Sequence, residues 1–193
     1  MVSKVQLRKE ILWELQENQD KNPRFSGNEL QGLYSQGQYK NILGYSPLPG
    51  EVDPFPLLED AHTHGLKVFL PRVESPEKMN FYHYDFQNPL SQKDYYGIYS
   101  PAEDGEIYMA RPEESLLLIP GLAFDLQGHR LGRGRGFYDR FLEKFSHGSM
   151  ILGISHHFQL LEFVPVDPWD RKVHGLVIPG TGLISLQNKL NQP

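Results

Sequence analysis

Residues Ser115–Ile119 read Ser-Leu-Leu-Leu-Ile, a nearly continuous apolar run closed by Pro120 and Gly121. A strand with one solvated face alternates apolar and polar residues, whereas one that is apolar at successive positions must be covered on both faces. That demand is met by a parallel sheet with helices above and below, and the rest of the chain supplies the parts. Asn41–Tyr45, Lys67–Val73, Met79–Tyr84, Met150–Ser155 and Gly175–Ile178 have the composition of strands. Between them lie helical patterns. Leu7, Ile11, Leu12 and Leu15 recur at helical spacing behind Ser3 and Gln6, and Pro23 stops that helix. A second helix is expected from Ser26 to Gly37, burying Leu30, Leu33 and Tyr34; a third has Asp53 as its N-cap and Pro54 as its first residue, with Phe55, Leu58 and Ala61 inward. A fourth spans residues 137–146 through Phe137, Phe141, Leu142 and Phe145, while Asp85–Pro112 has weak periodicity and is expected to carry loops. Strands alternating with helices predict an α/β fold: a three-layer sandwich with a largely parallel central sheet flanked by helices. The 193 residues suit a single domain over 1–193, with 182–193 expected as a C-terminal tail.

Composition narrows the function. With Cys 0 there are no disulfides, no thiolate nucleophile and no Cys-ligated zinc or iron–sulfur centre, which suits a reducing cytoplasm. A net charge of −5 argues against non-specific nucleic-acid binding, which needs a broad basic field. The first 22 residues carry Lys4, Arg8, Lys9, Glu10, Glu14, Glu17 and Asp20 and no apolar targeting core, and Leu116–Phe124 is too short to span a bilayer. A cytoplasmic protein without membrane or nucleic-acid partners is expected.

The stretch richest in chemistry is Gly128-His-Arg-Leu-Gly-Arg-Gly-Arg-Gly-Phe-Tyr-Asp139. Gly132, Gly134 and Gly136 alternate with Arg133 and Arg135, so backbone can approach an anion closely and forked donors stand beside it. A helix is expected to follow directly, and Arg130 adds a third guanidinium. The pattern is neither a P-loop nor a dinucleotide fingerprint, and an ordinary basic surface loop or an RNA-binding Arg-Gly segment remain its alternatives. Asp139 beside a phosphate loop would be repelled unless a cation lay between, so Mg2+ ligation is one reading and an ion pair to Arg135 or Arg140 the other. Asp170, in Pro-Trp-Asp, is a second carboxylate that a turn would bring to the same cleft, although taken alone it reads as an ordinary turn aspartate.

Elsewhere the residues carry weaker signals. Lys4 and Arg8 are like charges at i and i+4, which an anionic partner would explain as well as a solvated face does. Glu51 follows Pro49-Gly50 in a loop after a strand, where it suits either a donor-rich heterocycle or an ordinary turn. His62 and His64, or His156 and His157, form no metal-ligand constellation, and neither H-E-x-x-H nor G-x-S-x-G occurs. In such a sheet, ligands sit beyond the carboxyl ends of the strands, which singles out the loops after Tyr45, Ile119 and Ser155.

Taken together, Ile119-Pro-Gly-Leu-Ala-Phe-Asp-Leu-Gln-Gly-His-Arg-Leu-Gly-Arg-Gly-Arg-Gly-Phe-Tyr-Asp139-Arg resembles the signature of the 5-formyltetrahydrofolate cyclo-ligase family. The Lys4/Arg8 pair, Gly50-Glu51-Val52-Asp53, Gln159 and Pro165–Asp170 agree with it in order and spacing. The resemblance implies ATP-dependent closure of 5-formyltetrahydrofolate to 5,10-methenyltetrahydrofolate, with release of ADP and phosphate. It implies a small-molecule folate substrate, polyglutamylated or not, a monomer, and no protein nucleophile. By position, it implies that Lys4 and Arg8 hold ATP together with Arg130, Leu131, Gly132, Arg133, Gly134, Arg135, Gly136, Phe137 and Tyr138. Leu48, Glu51, Arg133, Gly134, Arg135, Gly136 and Phe137 would bind the folate, with Glu51 on the pterin; Arg133, Arg135 and Tyr138 would be catalytic; Asp139 and Asp170 would hold Mg2+. Ser100 and His174 depart from the family's pattern, which often has an acidic residue or glutamine at the first and sometimes an acidic residue at the second. A folate- or nucleotide-binding relative with little turnover is the alternative within the resemblance.

Overall fold

The apolar run at 115–119 does what its composition demands. In the structure, a computed structural model that describes residues 3–18, 23–35, 37–109, 111–143 and 148–186, successive side chains of this strand enter different cores. Leu116 and Leu118 belong to one cluster, Leu117 and Ile119 to another, and all four are essentially inaccessible. In chain order the elements are α1 (Lys4–Glu17), α2 (Gln31–Tyr34), β1 (Asn41–Leu43), α3 (Phe55–Thr63), β2 (Lys67–Val73), β3 (Met79–His83), β4 (Gln92–Lys93), β5 (Tyr99–Ser100), β6 (Ser115–Pro120), β7 (Ala123–Asp125), β8 (Arg130–Leu131), α4 (Phe137–Leu142), β9 (Met150–Ile154), β10 (Leu160–Leu161), β11 (Gly175–Ile178) and β12 (Gly182–Ser185).

Seven strands form the main sheet in the order β12-β11-β9-β6-β1-β2-β3. The contacts β11–β9, β9–β6, β6–β1 and β1–β2 are parallel, and the edge strands β12 and β3 are antiparallel. The α/β expectation therefore holds. One face buries Ile42, Val68, Leu70, Leu116, Leu118, Leu152 and Val177 under α2 and α3, which contribute Leu30, Tyr34, Leu57, Leu58 and Ala61. The other face buries Leu43, Phe69, Leu117, Ile119, Ile151 and Leu176 against Phe141 and Leu142 of α4 and against Phe124. At roughly 1.5–3 kcal/mol per fully buried large aliphatic side chain, this two-sided burial is the main favourable term of the fold.

Several expectations are corrected. The segment after β6 folds back as the hairpin β7–β8, which β10 joins in a separate three-stranded sheet. Asp125, fully buried, makes that turn: Oδ1 accepts from the backbone N–H of Gln127 and His129 (2.9 and 3.0 Å), and Oδ2 accepts from that of Val164 at 3.0 Å. Helix α1 packs on this small sheet through Leu7, Ile11 and Leu15 against Leu122, Ala123, Leu131 and Val164, and so stands apart from the two cores of the main sheet. Phe124 reaches the main sheet only because Gly153 lacks a side chain, since a Cβ there would lie 2.4 Å from the ring.

Helix α2 is a single turn that starts at Gln31; Glu29 Oε1 does accept from both the backbone N–H and the hydroxyl of Ser26, but these bonds close the preceding turn. The cap of α3 is Pro54, with Asp53 Oδ1 accepting from Phe55 N at 2.9 Å, so the aspartate caps from one position further out. Residues 182–185 of the expected tail form β12, paired with β11 through Gly182–Ser185, because Leu183 and Ile184 gain cover at the sheet edge. The region 85–112, expected as loops, contains the β4–β5 hairpin. Residues 187–193, the end of the predicted fourth helix including Phe145, and the first helix beyond Asn18 lie outside the described residues. Both departures from the family pattern are structural here: Ser100 Oγ accepts from Arg72 Nη1 at 2.9 Å, and His174 Nδ1 accepts from Ile151 N at 3.0 Å. Among the described residues, no helix is long and apolar enough to cross a membrane.

Candidate active site

A cleft of about 320 Å3 opens beyond the carboxyl ends of β1 and β6. The loop after β1 contributes Tyr45, Ser46, Leu48 and Glu51, the turn after β6 contributes Pro120 and Gly121, and the Gly-Arg segment forms the facing wall. Two of the three expected loops thus line it. The third, after β9, braces it from outside: His156 Nε2 meets the carbonyl of Gly50 at 2.9 Å, and Gln159 Nε2 donates to the carbonyls of Gly121 and Leu122 at 2.8 and 3.2 Å. Gln159 N donates to the His156 ring in a reciprocal cap, which leaves the proton on Nε2 and makes that atom the donor to Gly50. Burial pushes the His156 imidazole down, with the Gly50 bond working against it.

The Gly-Arg segment leaves the hairpin at β8 and turns into α4. Gly134 (φ +96°) and Gly136 (φ +68°) occupy the left-handed region, which a side chain would disfavour, and Gly136 caps α4 there. Arg130 is 6% exposed; it donates from Nη2 to Asp139 Oδ1 at 2.7 Å, from Nη1 to the carbonyl of Pro120 at 3.3 Å, and lies over the Tyr138 ring. Arg133 crosses the cleft and donates twice, from Nε at 3.0 Å and Nη2 at 2.8 Å, to Oε1 of Glu51, 82 residues away in sequence. The other Glu51 oxygen accepts from Leu48 N at 3.0 Å, so this 7% exposed carboxylate is held on the wall. Arg135 bonds the hydroxyl of Tyr96 at 2.8 Å. Tyr138 also lines the cleft, where burial first, and the Glu51 charge second, push its phenol up and keep it protonated.

The structure gathers Leu48, Glu51, Arg130, Gly132, Arg133, Gly134, Arg135, Gly136, Phe137, Tyr138 and Asp139 on one cleft. Lys4, Arg8 and Asp170 stand beside it, where α1 meets the loop: Arg8 Nε donates to the carbonyl of Gly132 at 3.0 Å, and Lys4 Nζ bridges Asp167 and Asp170 at 2.6 and 2.5 Å. Burial pushes the Lys4 ammonium down, but its bonds to these two aspartates outweigh it and hold the group above its ordinary value. Leu131 lies in the same segment but turns its side chain away from the cleft into the core under α1, because the residue that follows Arg130 on a strand must point to the opposite face. Asp139 pairs with Arg130 and with neither Arg135 nor Arg140, because those two guanidinium groups lie over the Tyr96 and Phe137 rings. Asp139 and Asp170 each answer a separate cation, and among the described residues no three His, Cys, Asp or Glu side chains converge as a metal cage. Tyr96, together with Asp94 of the β4–β5 turn, lines the cleft; from sequence it stands only among the aromatics Tyr82, Tyr84, Tyr95 and Tyr96, which suit either stacking on a folate or plain packing, and Asp94 carries no signal.

The chemistry of this wall suits an anion beside a donor-rich ring. Ser46 Oγ and Arg130 Nε are buried polar atoms that the described residues leave without a hydrogen-bond partner, and both residues line the cleft. Such atoms are expected to be satisfied by something other than protein.

Residues 1–179 match the model of the 5-formyltetrahydrofolate cyclo-ligase family. The 5-formyltetrahydrofolate cyclo-ligase of Haemophilus influenzae is 31% identical over 149 residues, covering 76% of this chain and 79% of its own; that of Escherichia coli is 35% identical over 133 residues, covering 67% and 72%. The solution structure of the 5,10-methenyltetrahydrofolate synthetase of Aquifex aeolicus superposes with a TM-score of 0.75 at 32% identity, over 95% of this chain and 93% of that one. With its signature loop, its sheet and its matched length in accord, the chain belongs to the 5-formyltetrahydrofolate cyclo-ligase family.

Proposed function

We propose that this chain cyclises 5-formyltetrahydrofolate to 5,10-methenyltetrahydrofolate in the cleft between the Glu51 loop and the Gly-Arg segment, converting ATP to ADP and phosphate. The observation that carries the reading is the Arg133–Glu51 contact at 2.8 Å. It puts a carboxylate suited to a pterin's N–H donors within one side chain's length of a loop suited to phosphate. The formyl oxygen is a poor leaving group until it carries the γ-phosphoryl group; the side-arm nitrogen then attacks the formyl carbon and phosphate departs. Such a transfer needs positioning and charge stabilisation more than protein covalency. Arg133 and Arg135 supply that charge, and Tyr138 supplies a hydrogen-bond donor. Lys4, Arg8 and the segment from Arg130 to Tyr138 hold the nucleotide, while Leu48, Glu51 and residues 133–137 hold the folate.

Asp139 and Asp170 are the residues that would hold Mg2+, whose chemistry when bound is to offset phosphate charge. Their donor set fits an ion that typically takes one or two carboxylates plus phosphate oxygens. Each is paired with a cation here, Asp139 with Arg130 and Asp170 with Lys4, and would have to release that partner to hold the ion. The RNA reading needs an open basic run, whereas Arg130 is buried and Arg133 is held by Glu51. The cysteine-free composition suits the cytoplasm, where we place the protein. The test is spectrophotometric. Purified protein with 5-formyltetrahydrofolate, ATP and Mg2+ should give the near-ultraviolet band of the methenyl product, and a flat trace from folded, nucleotide-binding protein would favour the binding relative without turnover.

A further inference from the structure

The β4–β5 hairpin takes no part in the roles assigned above, yet its turn forms one side of the cleft mouth. Two consecutive residues of β2 hold it there. Val73 N donates to Asp94 Oδ2 at 3.3 Å and its carbonyl accepts from Tyr95 N at 3.0 Å, while Arg72 donates to Ser100 Oγ at 2.9 Å on the other arm. Asp94 Oδ1 accepts from Tyr96 N at 2.9 Å and Ile98 N at 3.0 Å, which sets the conformation of the turn itself. The hairpin is therefore a rigid extension of the sheet, and it carries Tyr96 to the Gly-Arg segment.

There, Tyr96 stands edge to face with Phe137, ring centroids 6.0 Å apart, and takes Arg135 as its polar partner. Its hydroxyl accepts from Arg135 Nη1 at 2.8 Å, and the guanidinium carbon lies 4.2 Å from the ring centroid. The contrast with the other two arginines of the segment is chemical. Arg130 and Arg133 are each paired with a carboxylate, whereas among the described residues Arg135 has no carboxylate within ion-pair distance. A carboxylate neutralises a guanidinium and competes with phosphate for it. An aromatic ring with a neutral hydroxyl holds the same group by its quadrupole and one hydrogen bond and leaves its charge uncompensated. We propose that Tyr96 is a positioning residue that holds Arg135 in place as a free cation, ready for the phosphoryl group that forms in the cleft.

The inference rests on the cyclo-ligase reading, and a double-mutant cycle separates the two. In Tyr96→Leu, kcat should fall about ten- to hundredfold, the combined worth of a cation–π contact and a charge-assisted hydrogen bond. The KM for 5-formyltetrahydrofolate should stay within about twofold. Tyr96→Phe, which keeps the ring, should lose only about three- to tenfold. Tyr96→Leu placed on Arg135→Ala should cost nothing more, since a residue that acts through another has no effect once that other is gone. An equal further loss in the Arg135→Ala background, or a large rise in folate KM in both backgrounds, would overturn the proposal and make Tyr96 a substrate contact. Should the wild-type protein show no turnover, the functional reading fails while the cycle stays measurable as affinity for a non-hydrolysable ATP analogue, with the same non-additivity expected.

Discussion

Both ends of the parallel sheet carry clusters of mixed charge. Beyond the amino ends of β1, β2 and β6, a groove of about 570 Å3 is lined by Lys40, Lys67, Glu106, Arg111 and Glu114. Its cations are solvated, and the Lys67–Glu106 pair is so on both sides: the two meet at 3.0 Å with side chains 56% and 55% exposed. At the carboxyl ends the cleft is smaller, but Glu51 and Arg130 side chains are only 8% and 5% exposed. The chemistry is the same and the environment differs. Water screens the pairs of the larger groove and makes them worth little, whereas at the cleft the protein must supply what water no longer does. Burial of charge, more than the size of a hollow or the number of charges in it, is what marks the site.

Substitutions can break that comparison, and the greatest effect is expected at Arg133. Arg133→Ala should lower kcat about 10²- to 10³-fold, the cost of losing one preorganised charge at a reacting centre; turnover within twofold of wild type would sink the site assignment. Arg130→Ala should cost about 2–3 kcal/mol of unfolding free energy in a urea titration, since it leaves Asp139 and a buried carbonyl without their partner. Asp139→Asn should raise the Mg2+ concentration needed for half-maximal turnover at least about tenfold, while changing folate binding little; equal loss of both would make Asp139 only the counter-ion of Arg130.

The pH dependence sharpens the comparison because a histidine stands at each end of β9, His156 buried and His174 half-buried. Burial holds both His156 and His174 below the ordinary 6.5 in the folded protein. Between the folded value and 6.5 the unfolded chain binds more protons, so stability is complete above about pH 6.5 and is lost as pH falls through that window. Each group contributes up to about 1.4 kcal/mol per pH unit there. His156→Asn and His174→Asn should each flatten the acid limb of a stability–pH curve, and an unchanged limb in either would remove that histidine from the account. The smallest effect is expected in the exposed groove: Lys67→Ala should change stability by less than about 0.5 kcal/mol and turnover not at all.

The strength of the local signals decided which parts of this molecule were legible. Ser115–Ile119 and Lys67–Val73 were readable as strands because buried parallel strands need apolar residues at successive positions. The Gly-Arg segment was readable because closely spaced glycines and arginines have few other uses. The β7–β8–β10 sheet was not, since strands of two or three residues have no period to detect, and it is held by Asp125 bonding to Val164, 39 residues away. Tyr96 was legible only as one aromatic among several, to stack or to pack, and its contact with Arg135 was not, because the hairpin that delivers it there has strands of two residues.

By itself, then, the amino-acid sequence determined the α/β class, the order of the central strands' cover and the residue types at the cleft, because these follow from periodicity and side-chain chemistry along the chain. The pairings were decided only in three dimensions. That Arg133 meets Glu51, that Arg130 rather than a nearer arginine meets Asp139, and that Arg135 rests on a phenol are consequences of loops brought together at one end of a sheet. An ion pair depends on distance and burial, and neither is a property of separation along the chain.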